Sequence, residues 1–142
     1  MIKSSLLMSI FALFMMASCL GQSADEKAIE KTIMGFSKSG DQNDADKLAT
    51  YLDDNYRIVM NRLFGSAEVS TMSKDLYLEK IRNKEFGGDS RKVKIENLLL
   101  NGSTASAKVS FAGSQMSTIN LLTLVQASDG TWKLVSDMPV IK

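Results

Sequence analysis

The spacing of apolar residues changes once along this chain, and the change limits the folds that it can adopt. From Ile29 to Phe36 apolar side chains recur three or four residues apart, which predicts an amphipathic helix that begins near Asp25. From Tyr56 onward apolar and polar residues alternate, which is typical of a strand with one buried face. Helices first and strands later favour an α+β fold, with the helices gathered on one face of a curved antiparallel sheet.

Capping and turn residues divide the chain into further elements. Asp44 is a suitable cap for a short second helix, and Ser73 for a third helix that turns Tyr77 inward. Asn101-Gly102 and Asp129-Gly130 are hairpin turns, because these residue types tolerate positive φ. The longer strands are predicted over 93–100, 105–111, 119–125 and 132–135, and the third of these, apolar on both faces, is predicted to be central.

The first residues have the composition of a secretory signal peptide. Lys3 gives a basic start, and an apolar run follows from Leu6 to Ala17. The run is well short of the roughly 20 apolar residues that span a bilayer, so a retained membrane helix is not expected. Cys19, the only cysteine of the chain, follows Ala17-Ser18 and resembles the bacterial lipobox, in which signal peptidase II cuts before a lipid-modified cysteine.

We therefore expect three parts: a lipoprotein-type signal peptide over 1–18, a tether over 19–24 that begins with a lipidated Cys19, and one domain over 25–142. Such a protein is exported and held by its lipid anchor in the bacterial cell envelope, on the periplasmic side or at the outer membrane. The alternative is an ordinary signal peptide cut after Gly21 or Ala24, which releases a soluble periplasmic or secreted protein. Met16 stands where a lipobox usually has leucine, and it keeps that alternative open.

The charge balance and the lack of histidine exclude several classes of function. The chain has 17 Lys and Arg against 16 Asp and Glu and no basic cluster, so no nucleic-acid binding is expected. It has no histidine, which removes the usual general base and the commonest metal ligand. We expect no metal site, no cofactor and no Ser-His-Asp triad.

The order of elements and four stretches of sequence resemble the NTF2-like superfamily, and within it the secreted proteins called lumazine-binding or SnoaL-like. The stretches are 28–54, 68–81, 95–109 and 119–135, and the most recognisable piece is the run from Asp129 to Leu134. The resemblance implies a cone in which a curved antiparallel sheet wraps around three helices from the N-terminal half. It also implies a pocket at the wide end of the cone.

Catalytic members of that superfamily, such as ketosteroid isomerase, place a carboxylate base and proton donors in the pocket. By the resemblance, the base would fall within 57–60, the helical tyrosine within 34–36 and the acidic donor within 118–125. None of these stretches has the required side chain, and the late histidine of the polyketide cyclases has no counterpart. The resemblance therefore predicts the fold without predicting catalysis.

Five residues are the candidates for a ligand site: Tyr56, Met60, Asn120, Trp132 and Asp137. Asp137 lies on the last strand among apolar neighbours, where burial would raise its pKa and let it act as an acid or a base. The alternative, which its place near a strand end favours, is that Asp137 faces solvent. Trp132 also has an alternative, since a tryptophan on a strand is more often a core residue.

We expect an exported, lipid-anchored domain that binds a small apolar or aromatic molecule, or a partner protein, without catalysis. One alternative is an isomerase, dehydratase or cyclase that uses Asp137. Another is an interaction module that pairs through its sheet, for example as a homodimer. The interior of the cone distinguishes them: an empty apolar cavity favours binding, a buried acid favours chemistry, and a filled cone favours interaction.

Overall fold

The computed structural model describes residues 22–142, so the predicted signal peptide and Cys19 lie outside the described residues. Within them, no helix is both long enough and apolar enough to cross a bilayer. The elements follow one another as α1 (Ala24–Asp41), α2 (Ala45–Ala49), β1 (Leu52–Asn61), a 3-10 turn (Leu63–Gly65), β2 (Val69–Ser73), α3 (Lys74–Arg82), β3 (Lys92–Asn101), β4 (Thr104–Ala112), β5 (Ser117–Gln126) and β6 (Trp132–Ile141).

Side-chain caps set the first residues of the helices. The Ser23 hydroxyl accepts a hydrogen bond from the backbone N–H of Glu26, and the Glu26 carboxylate accepts one from the N–H of Ser23. This reciprocal pair satisfies two backbone donors that α1 itself leaves free. Asp44 caps α2 and Ser73 caps α3 through their side-chain oxygens, which confirms both predicted caps.

The six strands form one sheet in the order β2-β1-β6-β5-β4-β3. Four of the five neighbouring pairs are antiparallel, as predicted, whereas β1 runs parallel to β6. This difference arises because β6, the last strand of the C-terminal meander, inserts between the β1–β2 hairpin and β5. The predicted central strand is confirmed, since β5 is paired on both sides.

The helices cover one side of the sheet and enclose a single core with it. Ile29 and Ile33 of α1, Leu122 and Leu124 of β5 and Leu134 of β6 are completely or almost completely buried. All three helices precede the long C-terminal strands, and the curved sheet closes around them. The expected α+β cone is confirmed.

A bulge in β6 changes which of its residues face the helices. The pairing of β6 with β5 shifts by one residue at Val135. Before the shift Trp132 and Leu134 point inward, and after it Asp137 does. Strict alternation from Leu134 would have turned Asp137 to the outer face of the sheet, so the bulge is what places a carboxyl inside the cone.

Candidate functional site

A cavity of about 260 Å³ lies between the helix-facing side of the sheet and α3 with the loop that follows it. We call it the mouth pocket. Its walls are largely apolar, and they include three methionines, which adapt well to ligands of different shape. The lining residues include Met60, Met72, Tyr77, Phe86, Arg91, Met116, Asn120 and Pro139.

Exposed apolar side chains surround the opening. Phe64, in the turn between β1 and β2, is 80% exposed, and Met116, in the β4–β5 loop, is 48% exposed. Phe86 and Ile141 complete this rim and are also exposed. Such large apolar groups at the mouth of a cavity favour contact with an apolar ligand, because binding removes their surface from water.

The loop after α3 is fixed to the C-terminal end of α1, which shapes one wall. The Asn43 side-chain amide donates to the backbone carbonyls of Ile81, at 2.9 Å, and of Phe86, at 2.6 Å. Gly87 adopts a φ of +79° and lies against the Gly40 carbonyl, leaving no room for a Cβ atom. Phe86 is therefore held at the pocket by backbone contacts as well as by its own side chain.

A second loop is held by a carboxylate. Asp89 accepts hydrogen bonds from the Ser114 N–H at 3.1 Å, the Ser114 hydroxyl at 2.8 Å and the Gln115 N–H at 3.0 Å. These donors, of which the Gln115 N–H acts most strongly, lower the pKa of Asp89. The ionised Asp89 thus places the β4–β5 loop, with Met116, at the rim.

Arg91 contributes a fixed positive charge to the wall. Its Nε donates to Asp41 Oδ1 at 2.6 Å, and its Nη2 donates to the Ser37 carbonyl at 3.2 Å. The guanidinium also lies over the Phe111 ring, 5.1 Å from its centre. Because its hydrogen bonds go to α1, Arg91 acts first as a link between that helix and β3. Within residues 22–142 no group of three or more Cys, His, Asp or Glu side chains could hold a metal ion.

The deepest polar feature of the site is a pair formed by Asn120 and Asp137. The two residues lie on the neighbouring strands β5 and β6 and are 6% and 4% exposed. Asn120 Nδ2 donates to Asp137 Oδ1 at 2.7 Å, whereas Asn120 Oδ1 has no hydrogen-bond partner among the described residues. Asn120 lines the mouth pocket, and Asp137 lies one step deeper along β6 than Pro139.

Burial raises the pKa of Asp137 to about 7, since a charged carboxylate is poorly solvated inside the cone. The Asn120 hydrogen bond and the positive charge of Arg91 act in the opposite direction and only partly offset the burial. Burial also raises the pKa values of Tyr56 and Tyr77, to which the Asp137 charge adds. The site therefore has a carboxyl that changes its protonation near neutral pH.

The structure brings four of the five predicted site residues to one end of the cone. Met60 and Asn120 line the mouth pocket, and Tyr56 and Asp137 are buried beneath it. The expectation that Asp137 faces solvent is wrong, because the β6 bulge turns it inward. Trp132 is not brought to this pocket: it lies in the core at the opposite end of β6, where its indole N–H donates to Asp25.

Several residues of the site were not identified from the sequence. Arg91 and Asp89 have no motif around them, and their roles depend on partners far away in the chain, such as Asp41 and Ser114. Met72 and Met116 offered a weak signal, since both lie within one residue of a strand end, as does the predicted Met60. Only the folded sheet shows that these ends meet.

Comparison with known proteins covers nearly all of the described chain. A family model with the description "Putative lumazine-binding" matches residues 24–138. No curated protein matches the chain.

Solved structures resemble the chain at the level of the fold. An NTF2-like protein of unknown function from Shewanella baltica has a TM-score of 0.72 and 15% identity over 86% of this chain and 98% of its own. An NTF2-like protein of unknown function from Silicibacter pomeroyi has a TM-score of 0.71 and 16% identity over 85% and 100%. A ketosteroid isomerase-like protein from Erwinia carotovora has a TM-score of 0.66 and 12% identity over 84% and 98%. At such low identities these likenesses concern the fold alone.

Proposed function

Because the chain belongs to the family described as "Putative lumazine-binding" and has the NTF2-like fold, we propose that it binds a small, flat, largely apolar ring molecule in the mouth pocket. The observation that carries this proposal is the cavity of about 260 Å³, which has apolar walls and few polar groups. Lumazine, a fused two-ring heterocycle, is the probe that the description of the family suggests.

Methionine methyl groups offer a direct test, because they are distributed inside and outside the pocket. Met60, Met72 and Met116 line it, whereas Met34 is exposed on α1 and Met138 faces the outer side of the sheet. In the full chain labelled with ¹³C-methyl methionine, lumazine should shift the three pocket resonances and leave those of Met34 and Met138 unchanged.

A matched pair of variants controls this experiment. Met60→Trp fills the pocket and should abolish the shifts of Met72 and Met116, whereas Met34→Trp adds the same side chain on an exposed face and should preserve them. If lumazine and a second flat probe, 2-naphthol, shift no pocket methyl group of the wild-type chain, the binding proposal is wrong.

A buried acid favours a second candidate, an isomerase, dehydratase or cyclase that uses Asp137 for proton transfer. A pKa of about 7 suits a group that both takes up and releases protons at neutral pH. Against this candidate, Asn120 rather than Asp137 forms the pocket wall, so a bound ring meets an amide first. We therefore place binding ahead of catalysis.

We also propose that the protein is exported and held in the bacterial cell envelope by lipid on Cys19. The support is the sequence alone: a basic start, a short apolar run and a lone cysteine after small residues. The soluble periplasmic or secreted form is the competing outcome. The domain would then have two partners: a small ligand in the mouth pocket, and the membrane through the lipid on Cys19.

The outer side of the sheet supports a further proposal, that two copies of the chain pair there. Leu99 on β3, Leu121 on β5 and Val140 on β6 are 67%, 55% and 58% exposed on that side. Met138 pairs with Leu121 in the sheet and extends the same apolar face. Exposed apolar groups that lie close together on a sheet commonly mark an interface.

A further inference from the structure

The carbonyl oxygen of Asn120 is the one buried side-chain polar atom of the pocket wall that has no hydrogen-bond partner among the described residues. Asn120 is 6% exposed, and its Oδ1 has no hydrogen-bond donor among the described residues. Buried carbonyl oxygens are nearly always paired, because they lose their water on folding. Asn120 is part of the wall, so a ligand in the mouth pocket lies next to this amide.

Asp137 determines which end of the Asn120 amide is available. An ionised carboxylate has only acceptor atoms, so the amide must turn its NH₂ group toward it. The 2.7 Å distance from Asn120 Nδ2 to Asp137 Oδ1 has this orientation. With one N–H of the NH₂ group so held, the amide is left with Oδ1 as its unpaired acceptor and with its second N–H.

We propose that the mouth pocket selects ring molecules that carry an N–H or O–H donor, and that this donor binds Asn120 Oδ1 while Asp137 holds the amide. The inference rests on the proposed function, and it specifies the chemical class of the ligand. A molecule of the same shape that offers only acceptor atoms would leave Asn120 Oδ1 unpaired and bind more weakly.

Protonation of Asp137 should cancel this selection. A protonated carboxyl has an O–H of its own, which can donate to Asn120 Oδ1 while its carbonyl still accepts from Nδ2. Asn120 Oδ1 is then already paired with Asp137, so a ligand without a donor no longer leaves it unpaired. Because burial raises the pKa of Asp137 to about 7, the change falls in an accessible pH range.

Other groups near Asp137 keep their charge over that range. Tyr56 from β1 and Tyr77 from α3 have pKa values raised by burial, so both stay neutral. Arg91, just before β3, stays positive, and its pairing with Asp41 of α1 keeps it in place. At the rim, hydrogen bonds lower the pKa values of Glu85 and Asp89, and the chain has no histidine.

Indole and benzofuran test the proposal, because they have the same shape and differ in one atom. Indole donates through its ring N–H, whereas benzofuran has an oxygen acceptor there. Dissociation constants come from the Met60 and Met72 methyl shifts of the full chain. At about pH 8.5 indole should bind about three to ten times more tightly than benzofuran, which is the effect of one hydrogen bond. At about pH 5.5 the ratio should approach one.

Three variants locate the effect. Asn120→Leu should remove the preference at both pH values, and Thr123→Val, on the outer face of the same strand, should retain it. Asp137→Asn cannot titrate, so its ratio should be the same at both pH values. The pH comparison in the wild-type chain needs no variant and decides the matter even if Asn120→Leu fails to fold.

Two failures can be told apart. If both probes shift the pocket methyl groups and bind equally at about pH 8.5, the inference is wrong and the proposed binding function stands. If neither probe shifts any pocket methyl group, the binding function fails and the inference fails with it. A preference for indole that persists unchanged at about pH 5.5 would overturn the role of Asp137.

Discussion

Asp137 is an unusual residue to find inside this cone, because a buried carboxyl without a directly bonded cation makes folding less favourable when it is ionised. Its closest polar contact is the neutral Asn120 amide, and Arg91 is already bonded to Asp41. The pKa of Asp137 is raised because the effect of burial exceeds that of the Asn120 hydrogen bond and the Arg91 charge. Ionisable groups with pKa values shifted by burial cluster at functional sites, and Asp137 lies beneath the mouth pocket.

Asp137 should make the free energy of unfolding depend on pH. The folded state binds the Asp137 proton more tightly than the unfolded state, since its pKa rises from 3.8 to about 7 on folding. The free energy of unfolding should therefore decrease as the pH increases through this window and level off above it. Asp137→Asn removes the titration and should be more stable than wild type by about 1–4 kcal/mol at about pH 8, with little difference at about pH 4.

Urea denaturation at several pH values measures this difference. Asp46→Asn, on the exposed surface of α2, is the control and should keep the wild-type slope because Asp137 is intact. An equal gain for Asp137→Asn at both ends of the pH range would contradict the assignment of the slope to Asp137.

Strand position was a useful guide to most of the site residues and was misleading at Asp137, where the nearby strand end favoured exposure to solvent. The sequence identifies Tyr56, Met60 and Asn120 as candidates from their strand positions, and these three do lie at one end of the cone. It could not place Asp137, because the bulge at Val135 depends on pairing with β5 and reverses the alternation. Pairs such as Arg91 with Asp41 have no local signal at all.

Among the strands, the outer side of the sheet has the clearest consequence for assembly. Leu121 lies on β5, in the interior of the sheet, and pairs with Met138 on β6. Both point away from the helices, so two neighbouring apolar side chains lie on the outer face of strands that are already paired on both sides. A second copy can cover it face to face without adding a strand.

We expect Leu121→Glu to shift the full chain from dimer to monomer in sedimentation velocity, because a charge would be buried in the interface. The helical content by circular dichroism should not change. Leu76→Glu, at an exposed position of α3 on the other side of the molecule, is the control and should leave the dimer intact. A wild-type chain that is monomeric at every concentration tested would rule out the pairing.

Elements could be predicted well where their signals are local. Ser73 and Asp44 were identified as caps because the side chain bonds to a backbone N–H three residues on. The turn at Asn101-Gly102 was equally plain, and Asn101 pairs with Thr104 across it. The parallel pairing of β1 with β6 was not predicted, since it joins the two ends of the domain and depends on the closed sheet.

The proposed lipid anchor on Cys19 lies outside the described residues. In a Gram-negative host the wild-type protein should incorporate labelled palmitate and sediment with membranes, because lipid chains hold a small domain on a bilayer. Cys19→Ala should lose both properties, while Ser18→Ala should keep them. A wild-type protein that is soluble and begins at Gln22 or Asp25 would refute the anchor and favour the secreted form.

Helix α1 runs from one end of the domain to the other. It begins beside Trp132, whose indole binds Asp25, and ends at Asp41, which holds Arg91 at the mouth pocket. Its 18 residues span about 27 Å, whereas the chain from Cys19 to Ser23 reaches at most about 14 Å. A lipid on Cys19 would thus hold the protein on the membrane by the end at which α1 begins, and the pocket at the other end would open to the aqueous compartment. Its ligand would arrive by diffusion through water, as a dissolved solute, and would not be drawn from the bilayer.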